Sequence, residues 1–306
     1  MTSLLTNASA ITALQNLSAT NKAMQQTQDR ISTGMRVANA SDNAAYWSIA
    51  TTMRSDNSAM SAVKDALGMG SATVDVASAA LKTTSDLVSQ VKSKLVAASQ
   101  PGIDRSKVQA EIKQLQDQIK SVADSSTFSG QNWLSVDTTG SSYTATKSIV
   151  ASFTRTGTSV STGTIDVDTS KISLFDSGAQ TGIIDKDRTV GTSTVNVSTL
   201  DISALTDSAT DQQTMKDMIS GVDAALTDIT TAASDLGAVK TRIGTQSDFV
   251  SNLMDAVTKG IGQLVDADMN QESTRLQALQ VQQQLGVQSL SIANQSSQQI
   301  LSLFRG

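Results

Sequence analysis

Apolar residues in this chain recur at intervals of seven. Met53, Met60, Leu67, Val74, Leu81, Val88 and Leu95 keep that spacing without a slip. A second row, Ile49, Val63, Ala77, Val91 and Ala98, lies on the same face, interrupted by Asp56, Gly70 and Thr84. After Pro101-Gly102 a shorter pattern follows, with Val108, Leu115 and Val122 on one row and Ile112 and Ile119 on the other. Met215, Val222, Ile229, Leu236, Ile243, Val250, Val257 and Leu264 then step by seven again, accompanied by Met218, Ala225, Ala232, Val239 and Leu253. A repeat of seven sustained over this length imposes coiled-coil packing. At about 1.5 Å of rise per residue the long helices reach roughly 75 to 80 Å, which predicts a rod rather than a globule. Because the heptad segments flank a differently patterned middle, the two halves of the chain must pack side by side.

The middle, from about 127 to 204, is rich in Thr, Ser, Val and Ile, the residues that suit a pleated surface. Ile165 and Val167 alternate with Asp166 and Asp168 as in a half-buried strand, and Gly157 and Gly163 are turn candidates. Residues 141–175 are expected as hairpins on the side of the rod. Residues 176–204 are expected to carry one or two short strands in a small solvent-facing segment. The fold class is therefore mainly α, a long coiled-coil-like rod built by both chain ends, with β-hairpins between them.

Both ends are unusual. No charge occurs before Lys22, and none lies between Leu276 and Phe304. Ordering residues 7–33 costs about 1–2 kcal/mol per residue. Burying Ile11, Leu14, Leu17, Met24 and Ile31 returns about 1.5–3 kcal/mol each. A lone helix on those terms is marginal in water, so both ends are expected to be disordered in the monomer and helical inside an assembly.

Composition narrows the chemistry. The chain of 306 residues contains no Cys, no His and one Pro. A catalytic triad, an imidazole zinc site, a thiolate nucleophile and a near-neutral histidine base are thereby ruled out. A net charge of −5 gives no electrostatic reason to bind nucleic acid or an anionic membrane. The N-terminus lacks the basic start and continuous apolar core of a secretory signal, and no run approaches the roughly 18 apolar residues of a membrane span.

Three look-alikes of functional sites fail on inspection. Ser41-Asp42-Asn43 and Ser61-x-x-Lys64 imitate serine β-lactamase motifs, but in the wrong order and without Lys-Thr-Gly. Ser61 and Lys64 sit as polar positions within the heptad run, and Ser41 or Asp42 is expected to cap the helix that follows. Asp266-Ala267-Asp268-Met269-Asn270 begins like a calcium loop, yet Gln271 and Gln277 stand where Gly and Glu belong, and the stretch is expected to continue a helix. Gly68-Met69-Gly70 lacks the third glycine of a dinucleotide site and marks a soft spot in the long helix. The chain is expected to be no enzyme and to need no cofactor or metal.

At this point the residues point to a family. Arg30-Ile31-Ser32-Thr33-Gly34-Met35-Arg36-Val37, followed by Ala40-Ser41-Asp42-Asn43-Ala44-Ala45, resembles the N-terminal signature of bacterial flagellins. Ser129-Gly130-Gln131-Asn132-Trp133-Leu134, Leu236-Gly237-Ala238-Val239-Lys240-Thr241-Arg242-Ile243, Ala267-Asp268-Met269-Asn270-Gln271-Glu272-Ser273 and the closing Gln299-Ile300-Leu301-Ser302-Leu303-Phe304-Arg305 are similar as well. The resemblance covers about 1–135 and 208–306. It implies the repeating subunit of a flagellar filament, extracellular and exported unfolded through the flagellar type III apparatus without a cleavable signal peptide.

The implied partners are other copies of the chain, an export chaperone and the export apparatus, hook-associated and cap proteins, and other flagellins, with no nucleic acid and no membrane. A hook–filament junction protein is the alternative. On this reading residues 1–40 and 268–306 form the inner filament core, 41–175 and 205–267 the rod. Leu14, Leu17, Met24, Ile31, Leu285, Leu290, Ile292, Ile300, Leu301 and Phe304 are the expected inner-core assembly residues. Arg30, Gly34, Arg36, Asp42, Tyr46 and Trp47 are expected at a joint between helices and at a subunit contact. Tyr46 and Trp47 stand where the family usually has small or polar residues.

Overall fold

The computed structural model describes residues 7–141 and 143–303, with side chains through residue 295. Five α-helices occur among the described residues: α1 (Ala8–Thr33), α2 (Ala44–Ala98), α3 (Arg105–Ser125), α4 (Ala209–Val265) and α5 (Met269–Leu303). The chain divides into two units, Met1–Asn57 with Asp255–Gly306, and Ser58–Met254.

In the second unit the heptad rows are the core. Leu67, Val74, Leu81, Val88, Val91 and Leu95 of α2 are fully buried, as are Val222, Ala225, Ile229 and Leu236 of α4. The two helices run antiparallel and in constant register. Lys64 Nζ meets Ser251 Oγ at 3.3 Å, and Lys240–Asp75 and Lys92–Asp223 both close at 2.5 Å, the residue numbers of each pair adding to one total. Exposed ion pairs of this kind contribute ~0–1 kcal/mol, so they decorate a register that apolar burial sets. α3 adds Ile112, Ile119 and Ala123 to the core. Its first residue, Arg105, is buried and donates to the carbonyls of Ala98 and Leu205 and to Asp207 Oδ1 at 2.6 Å, tying the turn after α2 to the approach to α4.

The middle of the chain begins with β1 (Thr127–Phe128) and β2 (Gln131–Asn132), a hairpin turned by Ser129 and Gly130 at positive φ. β3 (Ser135–Val136) pairs in parallel with β6 (Phe175–Asp176). β4 (Thr146–Thr156) and β5 (Ser159–Asp168) form the long antiparallel hairpin, with Gly157 at φ +62° in its turn. Ile149, Ala151, Ile165 and Val167 are its buried residues, the alternation the sequence predicts. β7 (Arg188–Val190) and β8 (Ser193–Val195) make a last short hairpin.

One expectation changes here. Gly70 is no soft spot: a Cβ there would stand 2.6 Å from Ile149 Cγ2, so its missing side chain is what lets the long hairpin lie against α2. Gly68, in contrast, faces nothing within 4 Å. Residues 176–204 keep exposed positions, at 177–181 and 191–192 among others, and also turn apolar side chains inward. Ile183, Ile184, Val195, Val197, Leu200 and Ile202 are buried, and Gln116 and Gln109 of α3 donate to the carbonyls of Val197 and Leu200. These apolar residues follow no period because turns, not a regular element, carry them inward. The two compact units are delimited along the sequence at 57/58 and 254/255. The start of α2 and the end of α4 belong with the terminal unit because Ala50, Ile261 and Val265 form one core with Val37 of the connector.

Candidate assembly site

Each terminal helix has its own stop signals. Asn7 Oδ1 accepts from the Ala10 N–H at 3.0 Å and opens α1, while Gly34 closes it in the left-handed conformation, donating to the Arg30 carbonyl at 2.9 Å. Side-chain oxygens at a first turn and glycine past a last turn satisfy groups that the helix itself leaves unpaired. Asp268 Oδ1 opens α5 in the same way, accepting from the N–H groups of Asn270 and Gln271.

α1 and α5 pack antiparallel. Asn7 Nδ2 donates to the Ala293 carbonyl at 2.9 Å, Gln283 Nε2 to Asn21 Oδ1 at 2.9 Å, and Arg30 Nη1 to Glu272 Oε1 at 3.1 Å. Leu17 lies against Gly286. In α1 the covered positions are Ala13, Leu17, Thr20, Met24, Thr27 and Ile31, spaced three and four apart as in a coiled coil. In α5 they are Glu272, Leu276, Leu279, Gln283, Gly286 and Leu290. Where a helix alone is marginal, these two ends supply each other with a seam.

That seam uses only part of their apolar surface. Leu14 is 57% exposed, Leu285 57% and Ile292 66%, with Ile11, Val281 and Val287 also exposed. Val281, Leu285 and Ile292 follow one another four and seven residues apart, so they share a face of α5. The expected inner-core residues therefore sort into two sets. Leu17, Met24, Ile31 and Leu290 are half-buried between α1 and α5, while Leu14, Leu285 and Ile292 face outward. Phe304 and the side chains of Ile300 and Leu301 lie outside the described residues.

Beyond the pair the chain turns twice, side by side. Residues 35–43 lead from α1 to α2, and 266–268 lead from α4 to α5. Met35 and Asp266 form an antiparallel bridge. The N–H groups of Arg36 and Val37 donate to the Val265 carbonyl at 2.6 and 3.2 Å, and the Ala267 N–H donates to the Gly34 carbonyl at 2.9 Å. Arg36 adds its guanidinium, Nη2 donating to the Leu264 carbonyl at 3.1 Å. Asp42 Oδ2 accepts from the N–H groups of Ala38 and Asn39 and holds the connector's own turn.

Several sequence expectations are adjusted at this joint. Asn43, not Ser41 or Asp42, caps α2, its Oδ1 accepting from Ala45 and Tyr46 at 3.1 Å each. Ile49 is exposed, and Ala50 takes the core position, packed with Val37, Ile261 and Val265. The stretch 266–268 does not continue a helix but breaks one, since Asp268 serves as a cap. Tyr46 and Trp47 remain 41% and 36% exposed. Sequence reasoning missed the burial of Thr27 and Glu272, although Thr20 and Thr27 share the spacing of Leu17, Met24 and Ile31. It also gave no weight to Phe249 as an exposed residue. Among the described residues, no group of three or more His, Cys, Asp or Glu side chains is placed to hold a metal ion. The arrangement offers apolar faces and a braced joint.

Comparison with known proteins follows the same lines. Residues 4–139 match the model of the bacterial flagellin N-terminal helical region, and residues 219–304 that of the C-terminal helical region. Flagellin C of Rhizobium meliloti (strain 1021) is 49% identical to the chain, with all of both chains covered. Flagellin of Brucella melitensis biotype 1 is 46% identical and Flagellin A of Rhizobium meliloti 42% identical, again over the whole of both chains.

Proposed function

Because the chain belongs to the bacterial flagellin family, we propose that the outward stripes of α1 and α5 are the surface on which one subunit meets the next in the flagellar filament. The chain is a structural subunit of that filament. The observation that carries the proposal is the exposure of Leu14, Leu285 and Ile292 on helices that bear almost no charge. A pair of helices with its own seam needs no further apolar surface unless something covers it. Covering such side chains contributes about 25 cal/mol per Å² of apolar area removed from water.

Leu17, Met24, Ile31 and Leu290 hold the pair together, and Leu14, Leu285 and Ile292 present it to neighbours. Ile300, Leu301 and Phe304 extend the same role along the charge-free C-terminus. Arg30, Gly34, Arg36 and Asp42 shape the joint, and Tyr46 and Trp47 add a subunit contact beside it. From family membership we further infer export through the flagellar type III apparatus, with an export chaperone on the way and hook-associated and cap proteins at the ends of the polymer, other flagellins joining as co-assembling subunits. Among the described residues no helix is long and apolar enough to cross a membrane.

Seeding a solution of the purified chain with short filament fragments tests the reading, with electron microscopy as the readout. Long helical filaments are expected. Oligomers that stop growing would transfer the chain to the hook–filament junction role, which the relatives named above do not favour.

A further inference from the structure

Methionine collects at the joint. Of the chain's ten methionines, three stand there: Met35 in the connector, Met53 on α2 and Met269 at the start of α5. Met35 and Met53 pack against the small core of Val37, Ala50, Ile261 and Val265. Met53 Cε lies close to Gly260, and Met269 Cε reaches toward Gly34. With no cysteine in the chain, thioethers are the only sulfur that a two-electron oxidant can attack.

Their surroundings separate the methionines. Met60 and Met215 are buried in the second unit, at 5% and 2% exposure, while Met69 is 56% exposed. Met35 is half-buried, between these extremes. The guanidinium of the exposed Arg54 meets its sulfur, Nη2 to Sδ at 3.5 Å, which places that sulfur on the solvent side of the joint. Its backbone carries the bridge to Asp266, and the next two N–H groups, of Arg36 and Val37, donate to the Val265 carbonyl. One side chain thus touches water, a cation and the core that the brace rests on.

A thioether is a weak acceptor and a poor match for a guanidinium. Oxidation turns it into a polar sulfoxide. With hydrogen peroxide as the oxidant, the O–O bond breaks, one oxygen bonds to Sδ, and the other leaves as water. The sulfur is oxidised and the peroxide reduced. The added oxygen is drawn to Arg54 by a charge-assisted hydrogen bond, and the apolar cluster rejects it because burying an unpaired polar group costs free energy. Both effects pull the side chain the same way, off the core and toward the guanidinium.

We propose that Met35 is an oxidation site, and that its conversion to sulfoxide by hydrogen peroxide loosens the hydrogen bonds between the two connectors. The site goes beyond the filament reading and does not depend on it, since the change takes place in the free chain.

Peroxide treatment of the folded full chain, followed by peptide mass spectrometry, gives the order of oxidation. Met35 is expected to gain oxygen well ahead of Met60 and Met215. Amide hydrogen exchange at Arg36, Val37 and Ala267 is expected to become several-fold faster in the oxidised chain, and to slow again after a methionine sulfoxide reductase has acted. Met35→Leu, a swap that conserves volume, should keep slow exchange after the same treatment, whereas Met69→Leu should not protect. Met35→Gln, which puts a polar group at the same place, should exchange fast with no oxidant. Three results would each overturn the proposal: Met35 oxidised no faster than Met60 and Met215, exchange unchanged once Met35 is converted, or fast exchange in peroxide-treated Met35→Leu.

Discussion

The chain contains two antiparallel helix pairs whose seams are built on opposite plans. Between α2 and α4 the covered positions are almost wholly aliphatic, and most of them are fully buried. Between α1 and α5 the seam includes Thr20, Thr27, Gln283, Gly286 and an Arg30–Glu272 ion pair, and most of its members are half-buried. The first pair buries its heptad rows in its own seam. The second spends polar residues on its own seam and shows Leu14, Leu285 and Ile292. One seam is a core, and the other positions a surface for use elsewhere.

Removal of residues 276–306 should break the contrast most completely. The truncated chain is expected to keep the fold of the second unit, with a cooperative thermal transition by circular dichroism, and to lose polymerisation entirely. Native filaments from it would show that the terminal pair is not the assembly surface.

Next in size is a matched pair of truncations to alanine. Leu81→Ala empties a fully buried site in the α2–α4 seam and should cost about 2–5 kcal/mol, measured by denaturant unfolding. Leu285→Ala removes a side chain that is already in water and should leave monomer stability within about 0.5 kcal/mol, while raising the concentration needed for seeded growth. Equal effects of the two on unfolding would erase the distinction drawn between the seams.

Gly70→Val probes the hairpin seat. The added side chain collides with Ile149, and overpacking of that kind costs typically about 1–3 kcal/mol. Partial rescue by Ile149→Ala in the same chain would tie the cost to that contact.

A smaller effect is expected at the polar end of the terminal seam. Arg30→Ala strands Glu272, whose side chain is largely buried and whose Oε2 already has no hydrogen-bond partner. Arg30 is about a third exposed, so water screens the pair, and the loss should be well below the 3–5 kcal/mol of a fully buried one. The exchange Arg30→Glu with Glu272→Arg should recover part of the assembly that either single change loses.

The smallest effect concerns pH. Burial would raise the Asp176 carboxyl, but hydrogen bonds from Thr138, Thr181 and Gly178 outweigh it and hold the group far below the usual carboxylate range. Its contribution to stability is thus complete above an ordinary aspartate pKa of ~3.9 and fades as pH falls below it. Asp185 behaves in reverse. Burial pushes its pKa up, helped by the nearby Asp176 charge, so its contribution is present in acid and is lost as pH rises through that raised value. Melting curves at pH 4 and pH 7 should therefore show Asp185→Asn gaining at pH 7 relative to the unmodified chain and not at pH 4.

What the sequence made legible follows from the same contrast. Heptad rows such as Leu67 to Leu95 could be read directly because one period governs every residue of a long seam. Ile49 was misplaced in favour of Ala50 because the start of α2 packs on the connector and not on the α4 stripe alone. Within 176–204 the burial of Ile183, Ile184, Val197 and Ile202 was not legible, because they reach the core from turns, where no periodicity announces burial. Gly70 carried a meaning that only its neighbour Ile149 reveals. The terminal seam is hard to read from residues alone because Thr20, Thr27, Glu272 and Gln283 belong to it, and hydrophobic counting passes over a threonine at a coiled-coil position. The joint was recognisable from Gly34, yet Asn43's place as cap depended on which of three adjacent polar residues turned inward.

The doubled crossing at that joint has a mechanical meaning. One flexible strand between two bodies carries tension but swivels freely, as a string does. Here two strands cross together and are braced by the bonds from Arg36, Val37 and Ala267, so a turn applied to one side cannot unwind about a single backbone. A fibre driven in rotation from its base depends on each of its building blocks resisting torsion, and a braced double strand is expected to resist it more than a single one.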